Sequence, residues 1–124
     1  MDSAISCAAR VEQINELGGT ALLSALVKQF GQAYTKDIAQ AARAVDELDY
    51  ETLGKLAHRI EGACAIFGAA PALEACHALR TSVKQGTPDE LRLRLTNLET
   101  ELLHLQRALA LRLEQQVNDE RCLP

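Results

Sequence analysis

Residues 87–109 read TPDELRLRLTNLETELLHLQRAL. Thr87 is followed three residues later by Glu90, with Pro88 between them at the first helical position. This is a capping-box start, in which the threonine hydroxyl accepts from an otherwise unpaired N–H and proline loses nothing by lacking one. From there leucines at 91, 95, 98, 102, 105 and 109 alternate four- and three-residue steps. On a helix of 3.6 residues per turn that pattern keeps one side apolar, and the apolar side has to be covered. The cover is either a second copy in a coiled coil or the rest of the chain in a bundle. Leu93, Leu103, Leu111 and Leu113 fall partly off this seam.

Reading outward, three further stripes need a partner, which favours internal packing and a monomer. Pro71 opens a helix with Ala72, Cys76, Leu79 and Val83 inward and Gly86 at its end. Before it, Asp49 caps a helix with Glu51 in its first turn, carrying Leu53, Leu56, Ala57, Ile60, Cys64 and Phe67 and closing at Gly68. Earlier still, Thr20 is a candidate cap for a long helix bearing Leu23, Val27, Phe30, Tyr34, Ile38, Ala41 and Val45, with a bend expected at Gly31 or Thr35. A short helix over about residues 5–17 stops at Gly18-Gly19. No alternating β-branched stretch exists to build a sheet. The expected fold is all-α: an antiparallel four-helix bundle with a short extra N-terminal helix. One domain spans residues 1–124, with its core over about 12–110 and a loosely held tail at 115–124.

The chain has 124 residues, a length at which roughly two thirds of the unfolded surface can be buried in one core. Hydrophobic residues at 48% and charged residues at 24% are ordinary for a globular protein. A net charge of −4, with two tyrosines, two phenylalanines and no tryptophan, lacks the basic footprint and stacking platforms of a nucleic-acid binder. No apolar run approaches the roughly 20 residues that span a bilayer, so no membrane contact is expected. Met1-Asp2-Ser3-Ala4 is no signal-peptide start. Cys7, Cys64, Cys76 and Cys122 are scattered without zinc spacing and read as reduced thiols, which places the chain in the cytoplasm.

One residue departs from the pattern. His58 lies two residues from Leu56 and from Ile60, about 200° around the helix, and so faces water. Its neighbours at three and four residues are Gly54, Lys55, Glu61 and Gly62. Each glycine inside a helix costs roughly 1 kcal/mol against alanine, and in return bares the backbone around the imidazole. A neutral imidazole nitrogen is a nucleophile that can form a covalent intermediate. The bland alternative is an exposed histidine between glycines that serve packing. His77 and His104 read as surface histidines. Glu74 and His77 form one Glu-x-x-His, whereas a di-metal bundle needs two with further glutamates.

The run His58-Arg59-Ile60-Glu61-Gly62-Ala63-Cys64, followed by Phe67-Gly68, resembles the signature of the histidine-containing phosphotransfer (HPt) domain. That signature is roughly His-x-Leu/Ile-Lys-Gly-Ser/Ala-Ser/Ala with an apolar residue and a glycine beyond. Ala72, Cys76 and Leu79 resemble the family's next helix, and Leu17-Gly18-Gly19-Thr20-Ala21-Leu22-Leu23 with Phe30 its opening one. The resemblance covers about residues 12–110. It implies a phosphocarrier of two-component phosphorelays, free-standing or at the C-terminus of a hybrid sensor histidine kinase. Such a domain accepts a phosphoryl group from a receiver-domain aspartate and passes it to another receiver, without independent catalysis. His58 would be the phosphorylated nucleophile and Gly62 would keep its approach open, with Gly54 on the same face. No cofactor or metal belongs to the chain; Mg2+ comes with the receiver.

The sequence departs from the signature at Glu61, where the family usually has lysine; Lys55 or Arg59 are the cations in line to replace it. At about 6 Å a carboxylate and one phosphoryl charge repel by roughly 0.7 kcal/mol in water, so Glu61 is expected to disfavour phosphorylation. The competing readings are a helical interaction module without the chemistry, and a metal- or cofactor-binding bundle.

Overall fold

The computed structural model describes residues 6–121. Four helices follow in order: α1 (Cys7–Asp46), α2 (Tyr50–Ile66), α3 (Ala70–Gln85) and α4 (Pro88–Arg121). Connections of two or three residues force consecutive helices to run antiparallel. Helix α1 packs on α2 and α4, and α3 packs on the same two, so α2 and α4 stand across the bundle from each other. The core is the set of stripes read above, from Leu23, Leu53 and Leu56 to Leu79, Leu98 and Leu102, all fully buried. Phe67 closes α2 against α1, its ring 5.5 Å from Phe30 and edge-on to it.

The extra N-terminal helix is the first part of α1. Ser6 caps it, accepting from the Ala9 N–H at 3.1 Å. The helix then breaks at Gly19, whose φ of 64° and ψ of −158° are reached almost only by glycine. Before the break Glu12 pairs with Arg112, and Asn15 exchanges hydrogen bonds with Gln116 at 2.8 and 2.9 Å. Beyond it Tyr34 donates to Gln106 and Asp46 lies 3.6 Å from Arg92. Partner numbers rise together on one side of Gly19 and oppositely on the other. The glycine therefore turns the chain back on itself, and Val11 and Ile14 are buried as part of the core.

Three details of α1 and its contacts differ from the sequence reading. Thr20 is not a cap: its hydroxyl donates to Glu120 and accepts from Gln116 at 2.7 Å. Those bonds also remove most of the expected loose tail, because α4 continues to Arg121 with Gln116 and Glu120 docked on α1. Residues 122–124 lie outside the described residues. No bend occurs at Gly31 or Thr35, since Gly19 holds the only non-helical backbone angles within α1. Gly31 is instead a notch. A Cβ there would stand 2.6 Å from the Gln106 amide nitrogen, so the missing side chain lets α4 send Gln106 in beside Tyr34.

Asp49 caps α2 as expected, accepting from the Thr52 N–H at 3.2 Å and its hydroxyl at 2.7 Å. Those bonds hold the Asp49 carboxyl below its usual range. A depressed carboxyl contributes stability that is present above the unfolded-state value and lost as pH falls through the folded one. The capping box of α4 is half made: Thr87 accepts from the Glu90 N–H at 3.2 Å, while the Glu90 carboxylate turns to Ser82 and Arg94.

A Cβ at Gly19 would meet nothing within 4 Å, so a substitution there tests backbone strain alone. Gly19→Ala should lower stability by about 1–3 kcal/mol in chemical denaturation. A loss below about 0.5 kcal/mol would show that the reversal tolerates ordinary residues.

Candidate functional site

Helix α2 sets the site by burying one side. Leu53, Leu56, Ala57, Ile60 and Cys64 are at most 1% exposed, which turns His58 outward to water. Among the described residues, none makes a hydrogen bond or ion pair with the imidazole. One turn on, Gly62 is exposed and a Cβ there would meet nothing within 4 Å. Gly54, one turn before, is half-buried, with the Val83 Cγ1 4.0 Å from a Cβ position. The two glycines therefore differ. Gly62 opens the approach to His58, while Gly54 lies close to α3.

Charges surround the imidazole in pairs. Lys55 Nζ stands 3.3 Å from Glu51, an i,i+4 pair with both side chains at least three-quarters exposed. Such a pair is worth about 0.3–0.5 kcal/mol and is easily exchanged. Arg59 turns toward α1, with Nε 3.5 Å from the carboxylate of Asp37, which is only 6% exposed. On the other flank Arg80 of α3 donates from Nη1 to Glu61 Oε2 at 2.6 Å. The repulsion expected from Glu61 is thus answered by a cation that the sequence reading did not include. Arg59, expected to reach toward the histidine, has its guanidinium drawn to Asp37 instead.

Both Asp37 and Arg80 were missed as parts of this surface. Asp37 left a signal, because it is a charged residue inside the apolar stripe between Tyr34 and Ile38. Arg80 left none; its position beside Glu61 depends on how α3 is rotated against α2.

Behind the histidine, Cys64 and Cys76 face each other across the α2–α3 seam, both fully buried. A hydrogen bond to Cys64, with burial, pushes the Cys76 thiol strongly up, and both side chains are part of the hydrophobic core. Burial likewise raises the Cys7 thiol. His77 is exposed on α3, and His104 Nδ1 lies 3.6 Å from Glu101 on α4. Among the described residues no three His, Cys, Asp or Glu side chains gather as a metal site would require. A groove of about 510 Å³ lies between Ser6–Cys7, the α2–α3 turn and α4, and no residue from 54 to 62 lines it.

Residues 25–117 match the family model of the Hpt domain, a span that contains α2 and α3 whole with most of α1 and α4. No curated protein and no solved structure gives a significant match.

The empty space at Gly62 has a thermodynamic consequence. Gly62→Ala should raise stability by about 0.5–1 kcal/mol, because alanine removes the entropic cost of glycine without meeting a neighbour. Denaturant titration checks this, and a destabilised variant would reveal a contact at the site.

Proposed function

The chain belongs to the Hpt-domain family, and on that footing we propose that His58 is its phosphoryl-accepting residue. Hpt domains are phosphocarriers of two-component phosphorelays, working with receiver domains and kinases rather than catalysing a reaction of their own. The single observation that supports His58 is its setting: an exposed imidazole in mid-helix with open space above Gly62.

The step needs little from this chain. An unprotonated imidazole nitrogen attacks the phosphorus of a receiver's aspartyl phosphate. A P–N bond forms, the P–O bond to the aspartate breaks, and the carboxylate leaves with the electron pair. The ring is cationic until the proton on its other nitrogen passes to water. Mg2+ and the charge stabilisation of the acyl phosphate come with the receiver. This chain supplies the nucleophile, the approach over Gly62 and a docking face on α2. One copy is sufficient for the reaction, and the receivers that would serve it are cytoplasmic. No helix among the described residues is long and apolar enough to cross a membrane.

His58→Gln should abolish acceptance of phosphate from a phosphorylated receiver while changing stability by no more than about 0.5 kcal/mol, as expected for an exposed side chain. Label that persists, or that moves to His77 or His104, removes the assignment. Gly62→Gln should fold at least as stably as the wild type yet transfer phosphate much more slowly, because a long side chain then stands one turn from the imidazole. Unchanged transfer would mean that docking does not use this space.

A further inference from the structure

Glu61 stands three residues after His58, on the same side of α2, where side chains are neighbours about 5–6 Å apart at Cβ. A bare carboxylate there opposes a phosphoryl group arriving on the imidazole. The structure does not leave it bare. Arg80 reaches across from α3 to bond Glu61 at 2.6 Å, and its side chain remains 42% exposed.

The three cations around His58 are not equivalent. Lys55 is tethered to Glu51, a turn toward the start of α2. Arg59 leans to the buried Asp37 of α1. Arg80 alone is tethered to a residue one turn after His58, on the flank that faces α3. A guanidinium carries five N–H donors in a rigid fork suited to carboxylate and phosphate oxygens. The contact to Glu61 uses one of its terminal nitrogens, which leaves donors for a second anion.

We propose that Arg80 binds the phosphoryl group on His58, with Glu61 serving as the tether that holds the guanidinium beside the imidazole. This rests on His58 being the phosphorylated residue. It replaces a lysine on the histidine's own helix with a cation from the next one, and gives Glu61 a use in place of a penalty. No further reactant enters: the phosphoryl oxygens gain hydrogen bonds, and no covalent bond is altered.

The test uses phosphoramidate as the phosphoryl donor, so that receiver docking plays no part. In labelling, the P–N bond to ammonia breaks as the P–N bond to the imidazole forms. The phosphorylated fraction of His58 is read by mass spectrometry of proteolytic fragments after equilibration with phosphoramidate and excess ammonium, at two ionic strengths, so that label on the exposed His77 or His104 is not counted. Arg80→Gln should lower the ratio of phosphorylated to free protein about three- to tenfold, the range of a charge-assisted hydrogen bond discounted for exposure. Its label should rise with salt, as screening relieves the bared Glu61. The double variant Glu61→Gln/Arg80→Gln separates binding from mere neutralisation. It should stay at least about threefold below wild type and respond little to salt, while wild-type label falls with salt. A double variant that labels like wild type, with a salt-insensitive wild type, would show that Arg80 only cancels Glu61 and would overturn the proposal. His58→Gln is run beside them with a phosphorylated receiver as donor, because phosphoramidate also labels exposed imidazoles such as His77 and His104: transfer to that variant refutes the site itself, whatever Arg80 does. Circular dichroism melting of each variant excludes loss of fold as the cause.

Discussion

The interaction on which the rest depends is the burial of one stripe of α2 between α1 and α3. Leu53, Leu56, Ile60 and Phe67 are at most 1% exposed, and each large apolar side chain so buried is worth about 1.5–3 kcal/mol. No surface ion pair on the helix competes, since exposed pairs contribute about 0–1 kcal/mol. The stripe therefore fixes the rotation of α2. Shifting the packing by one residue turns a helix by about 100° and would carry His58 toward a neighbour. The exposure of the histidine is a by-product of apolar packing on the opposite side.

With the rotation fixed, the neighbouring helices dress the exposed face. Asp37 from α1 and Arg80 from α3 each bring a charge to one flank of α2, where each finds an opposite charge on that helix. The face is consequently a set of paired charges around an unpaired imidazole. Asp37 is the more demanding of the two partners. A carboxylate 6% exposed needs a cation, because desolvating an unpaired charge is costly. This explains why the guanidinium of Arg59 turns away from the histidine beside it.

Much of this was legible beforehand. The four stripes lie where their spacing places them, except that Ser82 is buried and Val83 only partly so at the end of α3, and the outward direction of His58 follows from two neighbours, Leu56 and Ile60. Asp49 and Thr87 were recognised as caps because capping is a contact between residues three apart. Apart from the half-made capping box, where Glu90 turns to nearby Ser82 and Arg94, the errors involve residues far apart in sequence. Thr20 has the composition of a cap, yet its hydroxyl is taken by Gln116 and Glu120, about a hundred residues away. Gly31 has the composition of a bend, yet it is the notch that admits Gln106. Residues 115–121, polar but for Val117 and without a stripe of their own, are held by bonds to Asn15 and Thr20.

Helix positions, the side of each helix that faces inward, and the isolation of one histidine among glycines are properties of spacing, and spacing is local. The sequence by itself determined those, because a period of 3.6 residues leaves an apolar stripe only one way to face. Which charge meets which was decided by the tertiary structure. That Glu61 lies beside Arg80, that Arg59 is drawn to Asp37, and that Gly19 reverses the chain so Asn15 can reach Gln116 all depend on the rotation and register of helices against one another. Those quantities come from packing whole faces together, and no pattern along a single helix contains them.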